Sequence, residues 1–327
     1  MIITQHRKFT PINIALVSLI GTLLCIGVFF HLPDQLTPLI VEPAIANLIG
    51  FTIGSSMSPQ NNVLIALGLT LLQAIFLNSI INHFNFLGKP NFLTALMFMT
   101  LVSLFLPFLV LSPTLICNFI TIWMLGKLFN MYNQADVKML MFDLGMIVAI
   151  GSFIYFPFMI MLLLLWISLM IFRPFNWREW ITPLLGFANI YFILAVIYYI
   201  MDRMPEFYQI FTPLTYTFPT ELTIDLYDLI VIIPIIIILL FFIFILKDQF
   251  YRSVVHIRKS FQLLFFMLLL IVASFYLNDQ ITINHFLLCA PPLAIYMAYY
   301  FMLAKNKWVY ESLYLLTILT IIYFQFI

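Results

Sequence analysis

Runs of about twenty apolar residues, separated by short polar or proline-bearing connections, recur along the whole chain. A helix that crosses a hydrocarbon core of about 30 Å needs roughly 20 apolar residues. The pattern yields about eleven such segments, at roughly 11–30, 62–81, 91–111, 113–131, 139–156, 158–173, 181–201, 225–246, 261–278, 283–304 and 308–326. Two of the boundaries are only proline hinges, Leu111-Ser112-Pro113 and Tyr155-Phe156-Pro157. The apolar run from Met139 to Phe172 is too long for one crossing, and Pro157 falls where a helix must break. The expected fold is all-α: a polytopic transmembrane helix bundle of about 11 spans, built as a single integral membrane domain over residues 1–327.

Basic residues then orient the bundle, because lysine and arginine concentrate in cytoplasmic connections. With the N-terminus inside, eleven crossings put Arg7, Lys8, Lys89, Lys127, Lys138, Arg173, Arg178, Lys247, Arg252, Arg258, Lys259, Lys305 and Lys307 on the cytoplasmic side. Only Arg203 falls outside, and removing or merging one segment scrambles this thirteen-to-one division. The expected topology is N-in and C-out. Two outer connections are long. The first, His31 to about Asn61, holds an apolar stretch from Ala44 to Ile53 that is too short to span and suits an interfacial helix. The second, Met201 to Ile224, is rich in aromatics and proline, as headgroup-level packing requires.

Composition sharpens the picture. Hydrophobic residues make up 64% of the chain and charged residues 8%, against about 25% charged in a soluble domain, so water is not its main solvent. A net charge of +1 argues against a nucleic-acid partner, which needs a basic excess. Cys25, Cys117 and Cys289 all lie in apolar stretches and read as packing residues rather than a disulfide framework or metal site. The first apolar stretch is too long for a signal-peptide core and is expected to remain as a signal anchor. No GxxxxGK[ST] loop occurs, so nucleotide-driven work is not expected of this chain.

Few polar residues remain to carry chemistry. Asp34 follows the first span in a proline-stiffened loop beside His31; it reads as a general base or sugar-binding carboxylate facing a lipid-borne substrate, or as a solvated acid capping a short helix. Arg203 is placed to clamp a phosphate with paired donors, or to be neutralised by Asp202 and by Glu206 at helical spacing. His285, at the mouth of the tenth span, reads as a hydrogen-bond donor to a phosphate or as an interfacial histidine with a water or backbone partner. No cofactor motif is identified. Asp225 and Asp228 are spaced to hold a divalent cation, but their place at a helix start favours a dipole role. Asp143 is expected to pair with Lys127 or Lys138, and Glu311 with Lys307. Gln73, Asn78, Asn82, Asn118 and Asn189 are expected to bond between helices, and the turn from Arg173 to Trp180 to anchor the topology.

The stretch FDLGMIVAIGSFIYFPFMIMLLLLWISLMIFRPFNWREWITPLLGF (Phe142–Phe187) resembles a signature of an uncharacterised inner-membrane family from one phylum of Gram-negative bacteria. His285, Pro291-Pro292 and Lys307-Trp308 are similar to its later motif. More distantly, the chain resembles the GT-C class of glycosyltransferases, which use lipid-phosphate-linked sugars. The features shared are an acid soon after the first span, a Gly-containing helix ending in a hinge (Gly145, Gly151, Phe156-Pro157), an apolar helix ending in Arg173, and a basic residue followed by proline (His285, Pro291). This resemblance implies a transferase that moves a sugar from a polyprenyl-phosphate donor at the periplasmic face, with Asp34 as the acid and His285 as a phosphate contact. Residue reading adds Arg203 to the phosphate site. The alternative is a non-enzymatic subunit or scaffold that partners other envelope membrane proteins, favoured by the scarcity of polar residues in the spans.

Overall fold

Two helix starts follow from a serine-proline pair. Ser58 Oγ accepts from the Asn61 N–H at 3.4 Å and Ser112 Oγ from the Leu115 N–H at 3.3 Å. In both cases proline takes the first helical position, where an N–H has no partner to lose. The computed structural model describes residues 2–30, 58–215, 226–249, 254–277 and 283–326. In chain order its helices begin with α1 (Ile2–His6), α2 (Ile12–Leu24), α3 (Ile26–Phe30), α4 (Pro59–His83), α5 (Leu93–Val102), α6 (Pro113–Asn130) and α7 (Lys138–Ile154). They continue as α8 (Met161–Phe172), α9 (Trp177–Ile200), α10 (Met204–Gln209), α11 (Leu226–Gln249), α12 (Val255–Ser274), α13 (Ala290–Leu303) and α14 (Lys307–Phe326). Among the described residues there is no strand.

Among the described residues, six helical stretches are long and apolar enough to cross a membrane: Ile12–Phe30, Pro59–His83, Trp177–Ile200, Val255–Leu277, Ile283–Leu303 and Lys307–Gln325. Large apolar side chains such as Phe192, Ile200, Phe244 and Leu319 point outward, as they do where lipid is the solvent. The chain is therefore an all-helical, multi-pass membrane protein. Both proline hinges do break helices: α6 starts at Pro113, and a 3-10 turn over Phe156–Ile160 separates α7 from α8.

The centre of the bundle is α5, whose ten residues are all buried, packed against α4 and against α13. Here the structure departs from the expected span over 91–111. At 1.5 Å per residue α5 is only about 15 Å long, and a 3-10 turn over Leu106–Leu109, with Pro107 in it, replaces its continuation. The freed backbone groups find side chains. Gln325 Nε2 of α14 donates to the Ser103 carbonyl at 3.0 Å, and the Leu111 N–H donates to Asn62 Oδ1 of α4 at 2.8 Å. Irregular backbone at membrane depth is tolerated when buried in protein and satisfied in this way.

Among the described helices, α7 and α9 bring their backbones into close approach. A Cβ on Gly145 would collide with the Pro183 carbonyl, and one on Gly186 with the Phe142 carbonyl, so each glycine lets the other helix's backbone approach. Asn91 caps and steadies the entry to α5, its carbonyl accepting from Asn78 at 3.0 Å and from Asn82 at 2.9 Å. Gln73 reaches the Leu115 carbonyl at 2.7 Å and Asn118 the Leu287 carbonyl at 3.0 Å, so four of the five expected amides do bond across to other segments. Asn189 is exposed.

Long-range bonds tie together, at one end of the bundle, segments that carry several of the described basic residues. The Phe92 N–H donates to the His6 carbonyl at 2.9 Å, Arg7 to the Ala304 carbonyl at 2.7 Å, and Arg173 to the Gln134 carbonyl at 2.7 Å. His256 Nε2 meets the Phe129 carbonyl at 3.1 Å at the same end. The Arg173–Trp180 turn is tied there as well: Asn176 Oδ1 caps α9, and Trp166 Nε1 donates to the Trp180 carbonyl at 2.9 Å. The Ala44–Ile53 stretch lies outside the described residues.

Candidate functional site

His285 sits in a 3-10 turn, Ile283–Cys289, that leads into α13, and its side chain is fully buried. Pro291 and Pro292 follow in the first turn of α13, where prolines fit a helix start but leave no N–H to donate. Each ring nitrogen of His285 has a protein partner. Nε2 lies 2.8 Å from the Ile271 carbonyl, which can only accept, so Nε2 carries the proton. Nδ1 is then an acceptor, and the Tyr155 hydroxyl donates to it at 2.7 Å. Ser274 Oγ stands 3.2 Å from Nε2 and donates to the same Ile271 carbonyl at 2.7 Å. The rings of Phe275 and Phe286 flank the imidazole, with centroids 5.9 and 5.7 Å away.

This arrangement joins three separate places in the chain: the Tyr155 hinge between α7 and α8, the last turn of α12, and the start of α13. Its chemistry is that of a staple. Both nitrogens are committed to protein groups, so in this conformation neither is directed at a ligand.

Of the other two expected site residues, only Arg203 falls among the described residues, and it does not join this cluster. Arg203, at the end of α9, pairs its Nε with Glu206 Oε1 at 3.1 Å and remains partly exposed. That is the local neutralisation its spacing allows, three residues along the short α10. Its partner and those of His285 do not overlap. Asp34 lies outside the described residues, as does Asp225, and nothing is described of the Asp228 side chain. Among the described residues no three or more His, Cys, Asp or Glu side chains come together in a way that could hold a metal.

Elsewhere, charged groups hold the bundle's own backbone. Lys127 pairs with Asp143 at 3.1 Å across α6 and α7. Glu311 does not pair with Lys307 as its spacing suggests. Its carboxylate instead accepts from the Thr4 N–H at 2.9 Å, the Thr4 hydroxyl at 2.7 Å and the Ile3 N–H at 3.4 Å, serving the open N–H groups of α1. Arg7 returns the favour at the other chain end of this contact, donating to the Phe301 and Ala304 carbonyls at 2.8 and 2.7 Å and lying over the Tyr310 ring. Asp136, exposed between α6 and α7, is held below the usual carboxylate range by the backbone N–H and ammonium of Lys138.

Two cavities open beside α13. The larger, about 450 Å³, lies between α11, α12 and α13 and is lined by Phe242, Phe261, Phe265, Leu293 and Tyr296, among others. The Tyr296 hydroxyl is turned away to the Phe261 carbonyl at 3.0 Å, which leaves the walls almost wholly apolar. The smaller, about 200 Å³, is bounded by Phe105, Phe108, Ile235, Phe286 and Cys289 and shares Leu293 with the first. Sequence reasoning did not single out these walls, since apolar residues lining a cavity and apolar residues filling a core have the same composition. Tyr155 was also missed; the only local sign is its place at the Pro157 hinge.

A model of a family of unknown function, DUF6427, matches residues 39–327. No curated protein and no solved structure matches the chain.

Proposed function

The chain belongs to this family of unknown function, and we propose that it acts as a non-enzymatic subunit of a cell-envelope complex in the bacterial inner membrane. One observation carries the reading: the described candidate side chains, His285 and Arg203, are committed to partners within the bundle, while the 450 Å³ groove beside α13 is apolar. A groove of that character, opening between helices, takes hydrocarbon, either a lipid chain or the apolar face of a partner helix. Eleven crossings with the N-terminus in the cytoplasm complete the proposal. Support for that topology comes from the thirteen basic residues that it sets on one side against Arg203 on the other.

A GT-C-like transferase is the second reading. It is favoured by the 200 Å³ cavity that reaches Phe286, the neighbour of His285 in the chain, where the tail of a polyprenyl-phosphate sugar would fit. In this reading Asp34 activates the acceptor hydroxyl, Arg203 and His285 stabilise the leaving phosphate, and a divalent cation between Asp225 and Asp228 assists. It requires His285 to release Tyr155 or Ile271, and Arg203 to release Glu206.

Purification in a mild detergent, with co-purifying proteins and lipids identified by mass spectrometry, decides between them. A stoichiometric protein partner supports the subunit. A bound polyprenyl phosphate together with sugar transfer that Asp34→Asn abolishes replaces it with the transferase. Reporter fusions at the C-terminus test the topology, and a cytoplasmic signal there overturns the eleven-span count.

A further inference from the structure

At the basic end of the bundle, the described acids are all committed. Asp136 pairs with Lys138 at 3.0 Å, Asp143 with Lys127 at 3.1 Å and Glu179 with Arg173 at 3.5 Å. Glu311 is given over to the N–H groups and hydroxyl of α1. Among the described residues, Lys8, Lys89, Lys305 and Lys307 therefore have no carboxylate, and all four are exposed.

These lysines are not scattered. Arg7 bonds the Ala304 carbonyl, which brings Lys8 against the turn that carries Lys305 and Lys307. The Phe92 N–H bonds the His6 carbonyl and Phe9 stacks on Phe92 at 5.2 Å, which sets the Lys89 turn beside the same segment. Large apolar side chains stand among them: Trp308 is 90% exposed, Phe9 62% and Ile12 61%. Directly along the chain from this patch, α2 and α14 present Leu19, Leu23, Leu315 and Leu319 outward.

We propose that this patch binds the headgroup of an anionic phospholipid, with phosphate oxygens on Lys8, Lys305 and Lys307 and the acyl chains running down the outer faces of α2 and α14. The match is one of chemistry and of order. Unpaired ammonium groups supply donors for phosphate, aromatic rings mark headgroup level, and the aliphatic faces below take hydrocarbon. A soluble acidic peptide would use the lysines but leave those faces without a counterpart. The inference rests on the chain being a membrane protein and not on either reading of its function, so it survives the failure of both.

The test is native mass spectrometry of the full-length protein in detergent, titrated with phosphatidylglycerol, cardiolipin or phosphatidylcholine. Both anionic lipids are expected to bind more tightly than phosphatidylcholine. At the usual worth of a basic residue near a membrane surface, Lys8→Gln, Lys305→Gln and Lys307→Gln together are expected to weaken anionic binding by roughly a hundredfold. Phosphatidylcholine binding is expected to be unchanged. Should the triple variant fail to fold, Lys305→Gln with Lys307→Gln, confined to an exposed turn, is expected to give a smaller loss of the same kind. Equal retention of all three lipids, or variants that bind like the parent, overturns the proposal. Displacement of the lipid by inorganic phosphate at comparable concentration reassigns the patch to a free anion and overturns it too.

Discussion

The Tyr155 hydroxyl donates to His285 Nδ1 at 2.7 Å across 130 positions of sequence, and that bond ties the α7–α8 hinge to the start of α13. Removing it with Tyr155→Phe keeps the ring and takes away only the donor. The expected cost is about 1–3 kcal/mol, the range for depriving a buried acceptor of its partner. His285→Leu loses the Ile271 bond as well and is expected to cost more. Thermal unfolding in detergent measures both. If His285 served a ligand instead, His285→Leu would unfold like the parent and fail only in binding.

The glycine contact between α7 and α9 is a second place where one atom decides. Gly145→Ala directs a methyl at the Pro183 carbonyl, and Gly186→Ala at the Phe142 carbonyl. Backbone has no rotamer to yield, so the helices must separate, at a cost of about 1–3 kcal/mol for either change. Gly68→Ala is the control: its Cβ would meet no atom within 4 Å. That variant is expected to unfold at or slightly above the parent temperature, since alanine is the better helix former. A Gly145→Ala variant as stable as Gly68→Ala would show that the two helices do not pack as closely as described.

Much of this architecture is legible locally. Ser58-Pro59 and Ser112-Pro113 announce helix starts, and the Pro157 hinge announces a break. Apolar length separates one helix from the next. What local pattern does not reveal is how irregular backbone is satisfied. The helix expected over 91–111 gives way after ten residues to irregular backbone, for which Asn62 and Gln325, far away in sequence, supply partners at Leu111 and Ser103. The same limit applies to the site. Arg203 with Glu206 and Asp143 with Lys127 were readable from spacing or proximity, whereas Tyr155 with His285 was not. Glu311 shows the reason most directly. A lysine four residues earlier offers a plausible pair, but folding brings two unpartnered N–H groups and a hydroxyl within reach, and the carboxylate satisfies three donors there instead of one.

That substitution of partners makes Glu311 the lock on the N-terminal segment. Glu311→Gln retains shape and some acceptor capacity but loses the charge that strengthens all three bonds. A loss of about 1.5–3 kcal/mol in docking α1 is expected, by the usual worth of hydrogen bonds to a charged group. The readout is local: a cysteine placed at Thr4 in a cysteine-free background gives up the hydroxyl bond but keeps the two N–H bonds to Glu311, and it reacts slowly with a polar thiol reagent in the parent and faster with Glu311→Gln. Lys307→Gln is the comparison. It is expected to leave the rate unchanged, and if it accelerates labelling as much, Glu311 acts through Lys307 after all.

The same segment carries a pH dependence, through His6. Its side chain is buried; Nδ1–H donates to the Ile2 carbonyl at 2.8 Å, while Nε2 has no hydrogen-bond partner. Burial pushes the imidazole below its ordinary 6.5, opposed by the Ile2 carbonyl and by the nearby Glu311 carboxylate, both of which favour the charged form. With the folded value lower than the unfolded one, the released segment takes up a proton before the docked one does as pH falls. The contribution of His6 is therefore whole above about pH 6.5 and is progressively lost below it. Labelling at position 4 is expected to accelerate, beyond the intrinsic pH dependence of the reagent, as pH drops from 7.5 to 5.5. In His6→Gln, which does not titrate, the acceleration is expected to disappear while the rate at pH 7.5 stays close to the parent's. Equal pH profiles for the two proteins would assign the effect to a group other than His6.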